Sequence, residues 1–291
     1  MTDISTAADL ANRSFNGPIA FPGLGIEVNP SVTVLGTGIH WYGIIIAIGF
    51  LIAIAVALRL AARTGEITQD NILDIVLLGA PLGIIGARIY YVVFALDEYR
   101  GRWMDVFKIW EGGLAIYGGI IAACISTVVY CRIKKVSLPK MMDIGGIGLV
   151  IGQAIGRWGN FINREAFGSA ASSLVPWRMR LYTDMSKTVF AEVHPTFLYE
   201  SLWNVGVLAV LLHLFGKKKF DGQVFCTYIL LYGIGRFFLE GLRSDSLYLG
   251  PVRISQLLAL LSAIGALVAL ILLKKRASIT INNHTEIFSE E

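Results

Sequence analysis

The sequence contains few charged residues, few cysteines and no secretory leader pattern. Only 16% of its 291 residues are charged, against about 25% in an average soluble domain. This composition excludes a disordered chain and a coiled coil, and it argues against an ordinary soluble enzyme. The three cysteines lack the spacing of a disulfide framework or a metal site. The net charge of +4 (25 − 21) is too small to indicate a nucleic-acid partner, and residues 1–20 do not resemble a signal peptide.

Long apolar runs are the main feature of the sequence. Apolar residues make up 55% of the chain, and the mean hydropathy is +0.64. A transmembrane helix needs about 20 apolar residues, whereas a membrane β-strand needs only about ten alternating ones. We therefore predict an all-α membrane protein, a bundle of seven transmembrane helices. The predicted spans are 41–61, 72–96, 113–131, 142–162, 195–215, 222–241 and 252–273.

Basic residues cluster at every second end of these spans. They are Arg59, Arg63, Arg132, Lys134, Lys135, Lys140, Lys217, Lys218, Lys219, Lys274, Lys275 and Arg276. Such clusters mark cytoplasmic ends, so we expect a multi-pass protein of the cell (cytoplasmic) membrane with its N-terminus outside. The predicted organisation is an extracytoplasmic arm over 1–40, a transmembrane domain over 41–273 and a cytoplasmic tail over 274–291. The domain includes an extracytoplasmic loop or head at 163–194, and short strands are expected near 21–39.

Several ionisable residues lie inside the predicted spans, where the hydrocarbon of the membrane disfavours charged groups. Arg88, Arg157 and Arg236 approach the outer ends of their spans, and Glu200 lies at the same depth. A charge there costs several kcal/mol unless it is paired or hydrated. Arginine suits bidentate capture of phosphate, so the cluster indicates a phospholipid-headgroup site that opens to the outer leaflet. The alternative is that these arginines only lock the helix bundle, and Arg88 and Glu200 are the expected structural pair.

Helical spacing places several polar residues on shared faces. Tyr232, Arg236 and Glu240 follow one another at intervals of four, and Arg157 and Asn160 are three apart.

The segment GRWGNFINRE at 156–165 resembles the signature of the prolipoprotein diacylglyceryl transferases. Other segments agree in order, and the resemblance runs from about residue 20 to 273. They are HWYG at 40–43, GARIYYVVF at 86–94, WEGGLAIYGG at 110–119, HPTFLYE at 194–200, YGIGRFFLEGLRSD at 232–245 and SQLL at 255–258. A single short motif would carry little weight, but this combination is specific.

The resemblance implies an enzyme that begins bacterial lipoprotein maturation. It would move the diacylglyceryl group of phosphatidylglycerol to the lipobox cysteine thiol of a preprolipoprotein, forming a thioether and releasing glycerol phosphate. The implied partners are phosphatidylglycerol, lipobox signal peptides and membrane lipids. No metal, dissociable cofactor or nucleic acid is implied.

The family's functional residues fall on eight positions of this chain by resemblance. They are Tyr42, Arg157, Asn160, Glu165, Tyr232, Arg236, Glu240 and Arg243. The sequence departs at Tyr117, where the family motif often has a histidine. Because an unperturbed tyrosine has a pKa near 10 and is a poor general base at neutral pH, Tyr117 is expected to donate a hydrogen bond instead.

The expected mechanism assigns Arg157 and Arg236 to the phosphate and Asn160 to its orientation. Either a nearby cation lowers the pKa of the substrate thiol or a base takes its proton. Glu165, Glu240 and His194 stay open as alternatives for that base, and His194 is also a candidate helix cap or interfacial residue. Tyr42 either lines the lipid site or belongs to the interfacial aromatic belt.

Two other classes fit the composition. A transporter or channel for an anion or lipid would also contain intramembrane arginines, but no internal repeat is present. A membrane scaffold or partner subunit would use its arginines for packing alone.

Overall fold

Seven long helices account for most of the part of the chain that the structure describes. The computed structural model describes residues 17–34, 38–182, 188–243, 248–249 and 252–289. The helices are α1 Trp41–Thr64, α2 Gln69–Phe94, the short α3 Leu96–Tyr99, α4 Ile116–Lys134, α5 Leu138–Asn163, α6 Thr196–Phe215, α7 Gln223–Glu240 and α8 Ile254–Ser289. Two 3-10 turns, Trp103–Phe107 and Ile109–Glu111, lie between α3 and α4.

Five of these helices are long and apolar enough to cross a membrane: α1, α2, α4, α6 and the stretch Ile254–Ile279 of α8. The predicted class, an all-α membrane protein, is confirmed. Helices α5 and α7 are long enough but less apolar, because they are richer in glycine and polar side chains. The chain divides into two units by its internal contacts, residues 54–144 and residues 1–53 with 145–291.

In the unit 54–144, α2 and α4 pack closely because small residues face each other. A Cβ added at Gly86 would lie 2.7 Å from the carbonyl oxygen of Gly118, well inside contact distance. Larger residues would force the two backbones apart, as at other small-residue helix contacts in membranes.

Polar side chains join α2 and α4 at one end of this helix pair. Thr68 and Asn71 form a capping box at the start of α2. The Asn71 amide donates to the Tyr130 hydroxyl at 3.0 Å, and that hydroxyl donates to Asp74 at 2.8 Å. The contacts satisfy the hydroxyl of the buried Tyr130, which would otherwise oppose helix packing.

In the other unit, side chains link neighbouring helices through backbone carbonyls. Ser201 of α6 donates to the Ala154 carbonyl of α5 at 2.9 Å. Trp203 of α6 donates to the Leu231 carbonyl of α7 at 3.0 Å, and Gln256 of α8 donates to the Phe237 carbonyl at 2.9 Å. These contacts fix α5, α6, α7 and α8 relative to one another.

A small antiparallel sheet belongs to the same unit. It consists of β1 Ile19–Phe21, β2 Ile26–Val28, β3 Met179–Tyr182 and β4 Phe190–Val193, in the order β2-β1-β3-β4. A two-stranded pair, β5 Tyr248–Leu249 and β6 Val252–Arg253, precedes α8. The core under the larger sheet contains Ile19, Phe167, Met179, Leu181, Val193 and Phe197. Because Phe197 lies in the first turn of α6, this core fixes the sheet to that helix.

An ion-paired carboxylate joins β3 to β4. Glu192 lies 2.5 Å from Arg178 Nε and 2.6 Å from Arg180 Nη2. Burial alone would raise the pKa of the Glu192 carboxyl, but hydrogen bonds from Arg180 and Arg178 and their charges outweigh it and lower the pKa below its usual range.

The structure describes most of the predicted tail and part of the predicted arm. Helix α8 continues to Ser289, so the part of the predicted tail over 274–289 is helical. Of the predicted arm, residues 1–16 and 35–37 lie outside the described residues.

Candidate active site

A buried carboxylate, Glu200, lies at the centre of a cluster of arginines. Glu200 is in the first turns of α6, and its side chain is 5% exposed. Arg157 Nη2, from the last turns of α5, lies 2.5 Å from Glu200 Oε2. Arg236 Nη1, from α7, lies 3.3 Å from the same oxygen, and Arg243 Nη1 lies 3.9 Å from Glu200 Oε1. The ends of three helices therefore meet around one negative charge.

A second carboxylate extends the cluster along α7. Arg236 Nη2 lies 2.6 Å from Glu240 Oε2, and the Glu240 side chain is 2% exposed. The pair is at i and i+4, as the predicted shared face requires. Arg253 donates to the backbone carbonyl of Glu240, which fixes the end of α7 against the start of α8.

Among the ion pairs that the structure describes around Glu200 and Glu240, three arginines meet two carboxylates. The arginine side chains keep 20%, 19% and 13% of their surface exposed, respectively. Buried charges need partners, and these carboxylates stabilise the guanidinium groups while leaving part of their surface open to an anion.

A hydrogen-bond chain leads from Arg157 to Glu165. Arg157 Nη1 donates to Asn160 Oδ1 at 3.3 Å, and Asn160 Nδ2 donates to Glu165 Oε1 at 2.8 Å. Asn163 Nδ2 lies 3.3 Å from the same Glu165 oxygen. Glu165 is exposed, so its carboxylate is oriented by amides while remaining accessible.

Tyr42 packs against α5 at Gly159. A Cβ added at Gly159 would lie 2.5 Å from Tyr42 Cδ2, so a larger residue would displace the ring. The tyrosine ring therefore lies directly against the backbone of α5. Tyr232 stacks on Tyr228, with ring centroids 5.8 Å apart.

His194 lies where the sheet meets α6. Its Nδ1 is 3.2 Å from the Tyr199 hydroxyl, which also accepts a hydrogen bond from Trp177 Nε1 at 2.8 Å. The His194 carbonyl accepts from the Gly168 amide at 2.9 Å. These contacts give His194 a role in holding the segment after α5 against α6.

The predicted pairing of Arg88 with Glu200 is wrong. Arg88 lies in α2, in the unit 54–144, and donates to the backbone carbonyls of Asp105, Val106, Lys108, Gly112 and Gly113 at 2.7–3.4 Å. A guanidinium group has five N–H donors, so these five contacts use all of them. Arg88 therefore holds the loop between α3 and α4, and Glu200 pairs with the arginines described above.

Tyr117 lies in the first turn of α4, in the unit 54–144. Its side chain is about half exposed, and its ring lies 6.5 Å from that of Tyr90. Glu111 lies in the second 3-10 turn of the same unit.

The sequence did not predict that Glu200 lies at the centre of the arginine cluster, and it did not mark Arg164 as a residue with contacts near the site. An acidic residue in an otherwise apolar span was the available signal for Glu200, but its partners come from helices distant in sequence. Arg164 donates to the carbonyls of Gly17 and Pro30, and no sequence signal marks it, because it follows the end of α5 in a polar segment.

Comparison with known proteins identifies the family. The family model described as prolipoprotein diacylglyceryl transferase matches residues 30–272. A relative from Clostridioides difficile, named phosphatidylglycerol–prolipoprotein diacylglyceryl transferase, is 45% identical over 244 residues, which cover 84% of this chain and 94% of the relative.

Relatives of the same name agree. The Finegoldia magna protein is 44% identical over 84% of this chain and 95% of its own length. The Oceanobacillus iheyensis protein is 43% identical over 87% and 88%, respectively. Matches of this length and identity extend across the helices that carry Arg157, Glu200 and Arg236, and the chain belongs to the prolipoprotein diacylglyceryl transferase family.

Proposed function

We propose that this protein transfers the diacylglyceryl group of phosphatidylglycerol to the lipobox cysteine of preprolipoproteins, the first step of lipoprotein maturation. The single observation that supports it best is the cluster of Arg157, Arg236 and Arg243 around Glu200, whose guanidinium groups remain partly exposed. Such a cluster suits a phosphate that gains negative charge during the reaction.

The proposed reaction is a displacement at a glycerol carbon. The thiolate sulfur of the lipobox cysteine forms a bond to that carbon while the bond from the carbon to the phosphate oxygen breaks. The oxygen leaves with the electron pair as part of glycerol phosphate, and the thiol proton goes to a base. The phosphodiester has one negative charge and the leaving phosphomonoester approaches two, so fixed cations stabilise the transition state more than the bound lipid.

We assign the phosphate to Arg157 and Arg236, with Asn160 orienting Arg157. Arg243 adds positive charge from beyond α7, and Tyr42 and Tyr232 line the lipid side of the site. Glu200 holds the guanidinium groups in place before the lipid arrives, a preorganisation that lowers the cost of binding an anion.

Among the three candidates for the base, Glu165 fits best. Glu240 is 2% exposed and its Oε2 lies 2.6 Å from Arg236 Nη2, so a substrate thiol has little access to it. His194 Nδ1 faces a tyrosine hydroxyl. Glu165 is exposed and is oriented by Asn160 and Asn163, so a substrate thiol has access to it.

The proposed topology has seven spans in the cell membrane, with the N-terminus outside and the C-terminus cytoplasmic. The meeting of the end of α5, the start of α6 and the end of α7 at Glu200 supports this alternation. The proposed organisation is an extracytoplasmic arm over 1–40, a catalytic domain over 41–273 with its head at 163–194, and a cytoplasmic tail over 274–291.

The test is mass spectrometry of a lipobox peptide incubated with the purified full-length protein and phosphatidylglycerol vesicles. We expect a peptide carrying one diacylglyceryl group on the cysteine and an equal amount of glycerol phosphate. The control peptide has Cys→Ser at the lipobox and should remain unmodified. An unmodified cysteine peptide after prolonged incubation with folded protein contradicts the proposal.

A further inference from the structure

The turn that follows α5 has an unusual backbone on both sides of Glu165. Arg164 has φ 56° and Ala166 has φ 55°, the left-handed region that residues with a Cβ rarely adopt. Such conformations persist only where surrounding contacts hold them, and they concentrate at functional sites. The position of the Glu165 carboxylate therefore depends on whatever holds these two residues.

Ala166 is held from α6. Its carbonyl accepts a hydrogen bond from Thr196 Oγ1 at 2.5 Å, and Thr196 is fully buried at the start of that helix. The neighbouring Gly168 amide donates to the His194 carbonyl at 2.9 Å. The far side of the turn is thus fixed to the helix that carries Glu200.

Arg164 is held from the N-terminal arm. Its Nε donates to the Gly17 carbonyl at 2.6 Å, and its Nη2 donates to the Pro30 carbonyl at 2.9 Å. Nη2 also lies 3.3 Å from Asn29 Oδ1, and Nη1 donates to the Ile162 carbonyl at 2.7 Å. Carbonyl groups in fixed positions around a planar guanidinium leave it little freedom to rotate.

The acceptors on the arm lie at the open end of one hairpin. Gly17 precedes β1, and Asn29 and Pro30 follow β2, while Ile19 pairs with Val28 between them. The Arg164 guanidinium therefore bridges the two ends of the β1–β2 hairpin and connects them to the end of α5. The hairpin also continues the sheet through the pairing of β1 with β3.

We propose that Arg164 is a positioning residue that uses the β1–β2 hairpin to hold the left-handed turn and thereby the Glu165 carboxylate. This rests on the proposed function, in which Glu165 accepts the thiol proton. The arm then has a defined role: it supports the turn that carries the base. Since Arg157 and Arg236 bind the phosphate from the helices, loss of Arg164 should affect the chemical step more than lipid binding.

The test compares Arg164→Gly with Arg164→Lys in the full-length protein. Glycine adopts a positive φ readily, so Arg164→Gly removes the guanidinium contacts without making the backbone harder to form. We expect backbone amides in 17–34 to lose protection in hydrogen exchange, kcat for a lipobox peptide to fall about tenfold or more, and KM for phosphatidylglycerol to stay unchanged. Lysine keeps the charge but reaches fewer acceptors, so both readouts should lie between those of glycine and the native residue.

Lys135→Gly is the matched control. Lys135 is also basic and also has a positive φ, 57°, at the end of α4, but it has no part in the hairpin. Protection of 17–34 and transfer should both match the unaltered protein.

An Arg164→Gly protein that keeps both protection and kcat overturns the proposal. One that loses protection in 17–34 but keeps kcat overturns it as well, because the hairpin would then not support the site. If the unaltered protein transfers no lipid, the proposed function fails, and the hydrogen-exchange comparison still decides whether Arg164 holds the hairpin.

Discussion

Arg157 Nη2 lies 2.5 Å from Glu200 Oε2, and both groups lie largely buried where α5 meets α6. An arginine at this depth without a partner would be costly, and a carboxylate alone would be equally so. Since Glu200 also faces Arg236 and Arg243, one acidic side chain stabilises three basic ones. The cluster is therefore both a structural element and the proposed anion site.

Loss of the Glu200 charge should destabilise the protein as well as inactivate it. Glu200→Gln removes the carboxylate that Arg157, Arg236 and Arg243 face, and breaking a buried ion pair in this way costs about 3–5 kcal/mol. We expect a lower free energy of unfolding in detergent micelles. Glu66→Gln is the control, because the ion pair of Glu66 with Lys140 is more exposed and surface pairs contribute about 0–1 kcal/mol. Equal stability of the two variants would contradict the central place of Glu200.

A methyl group at Gly159 should displace Tyr42. Because the added Cβ would lie 2.5 Å from the ring, Gly159→Ala should cost about 1–3 kcal/mol and lower transfer activity. Gly152→Ala in the same helix is the matched control, since nothing lies within 4 Å of its added Cβ. That variant should be as stable as the native protein or slightly more so, because alanine favours helix over glycine. The two alanine variants are compared by thermal unfolding and by lipid transfer.

The hydroxyl of Tyr117 should contribute to activity as a hydrogen-bond donor. Tyr117→Phe removes that donor and is expected to lower the rate of diacylglyceryl transfer, whereas Tyr117→His keeps a donor and should be tolerated. Tyr90→Phe, which alters a tyrosine packed beside it, is the control and should have little effect. Loss of transfer with histidine but not with phenylalanine would refute this role.

The stability of the sheet should decrease in acid through Glu192. The pKa of this carboxyl is lower in the folded protein than its ordinary value of 4.5. Its stabilising contribution is therefore complete above about 4.5 and is lost as the pH falls through the lower, folded value. Glu192→Gln removes this contribution at all pH values. The difference in unfolding midpoint between the native protein and this variant should shrink as the pH falls below 4.5, and a constant difference would contradict the argument.

Apolar patterning predicted the helices because a run of about 20 apolar residues specifies its own structure. The predicted span 195–215 corresponds to Thr196–Phe215, and 222–241 corresponds to Gln223–Glu240. The i, i+4 relationship of Arg236 and Glu240 followed from helix geometry alone, since both residues lie on one element.

Contacts between elements could not be predicted in the same way. Arg88 has a charge that requires partners, but those partners are backbone carbonyls, which no residue type marks in a sequence. The pairing of Arg157 and Arg236 with Glu200 depends on how three helices pack. The left-handed backbone at Arg164 and Ala166 depends on contacts from Pro30 and Thr196, which are distant along the chain.

The most direct test of the central claim is the rate of diacylglyceryl transfer by Arg157→Ala and Arg157→Lys, measured with radiolabelled phosphatidylglycerol and a lipobox peptide. Arg100→Ala is the control, since that side chain is exposed and pairs only with the nearby Asp97 among the ion pairs of the described residues. If Arg157 binds the phosphate through a planar guanidinium, both Arg157 variants should lose about 100-fold or more in rate. The folded fraction in micelles should stay high, because Glu200 still faces Arg236 and Arg243 in both variants. Near-native transfer by both variants would contradict the account.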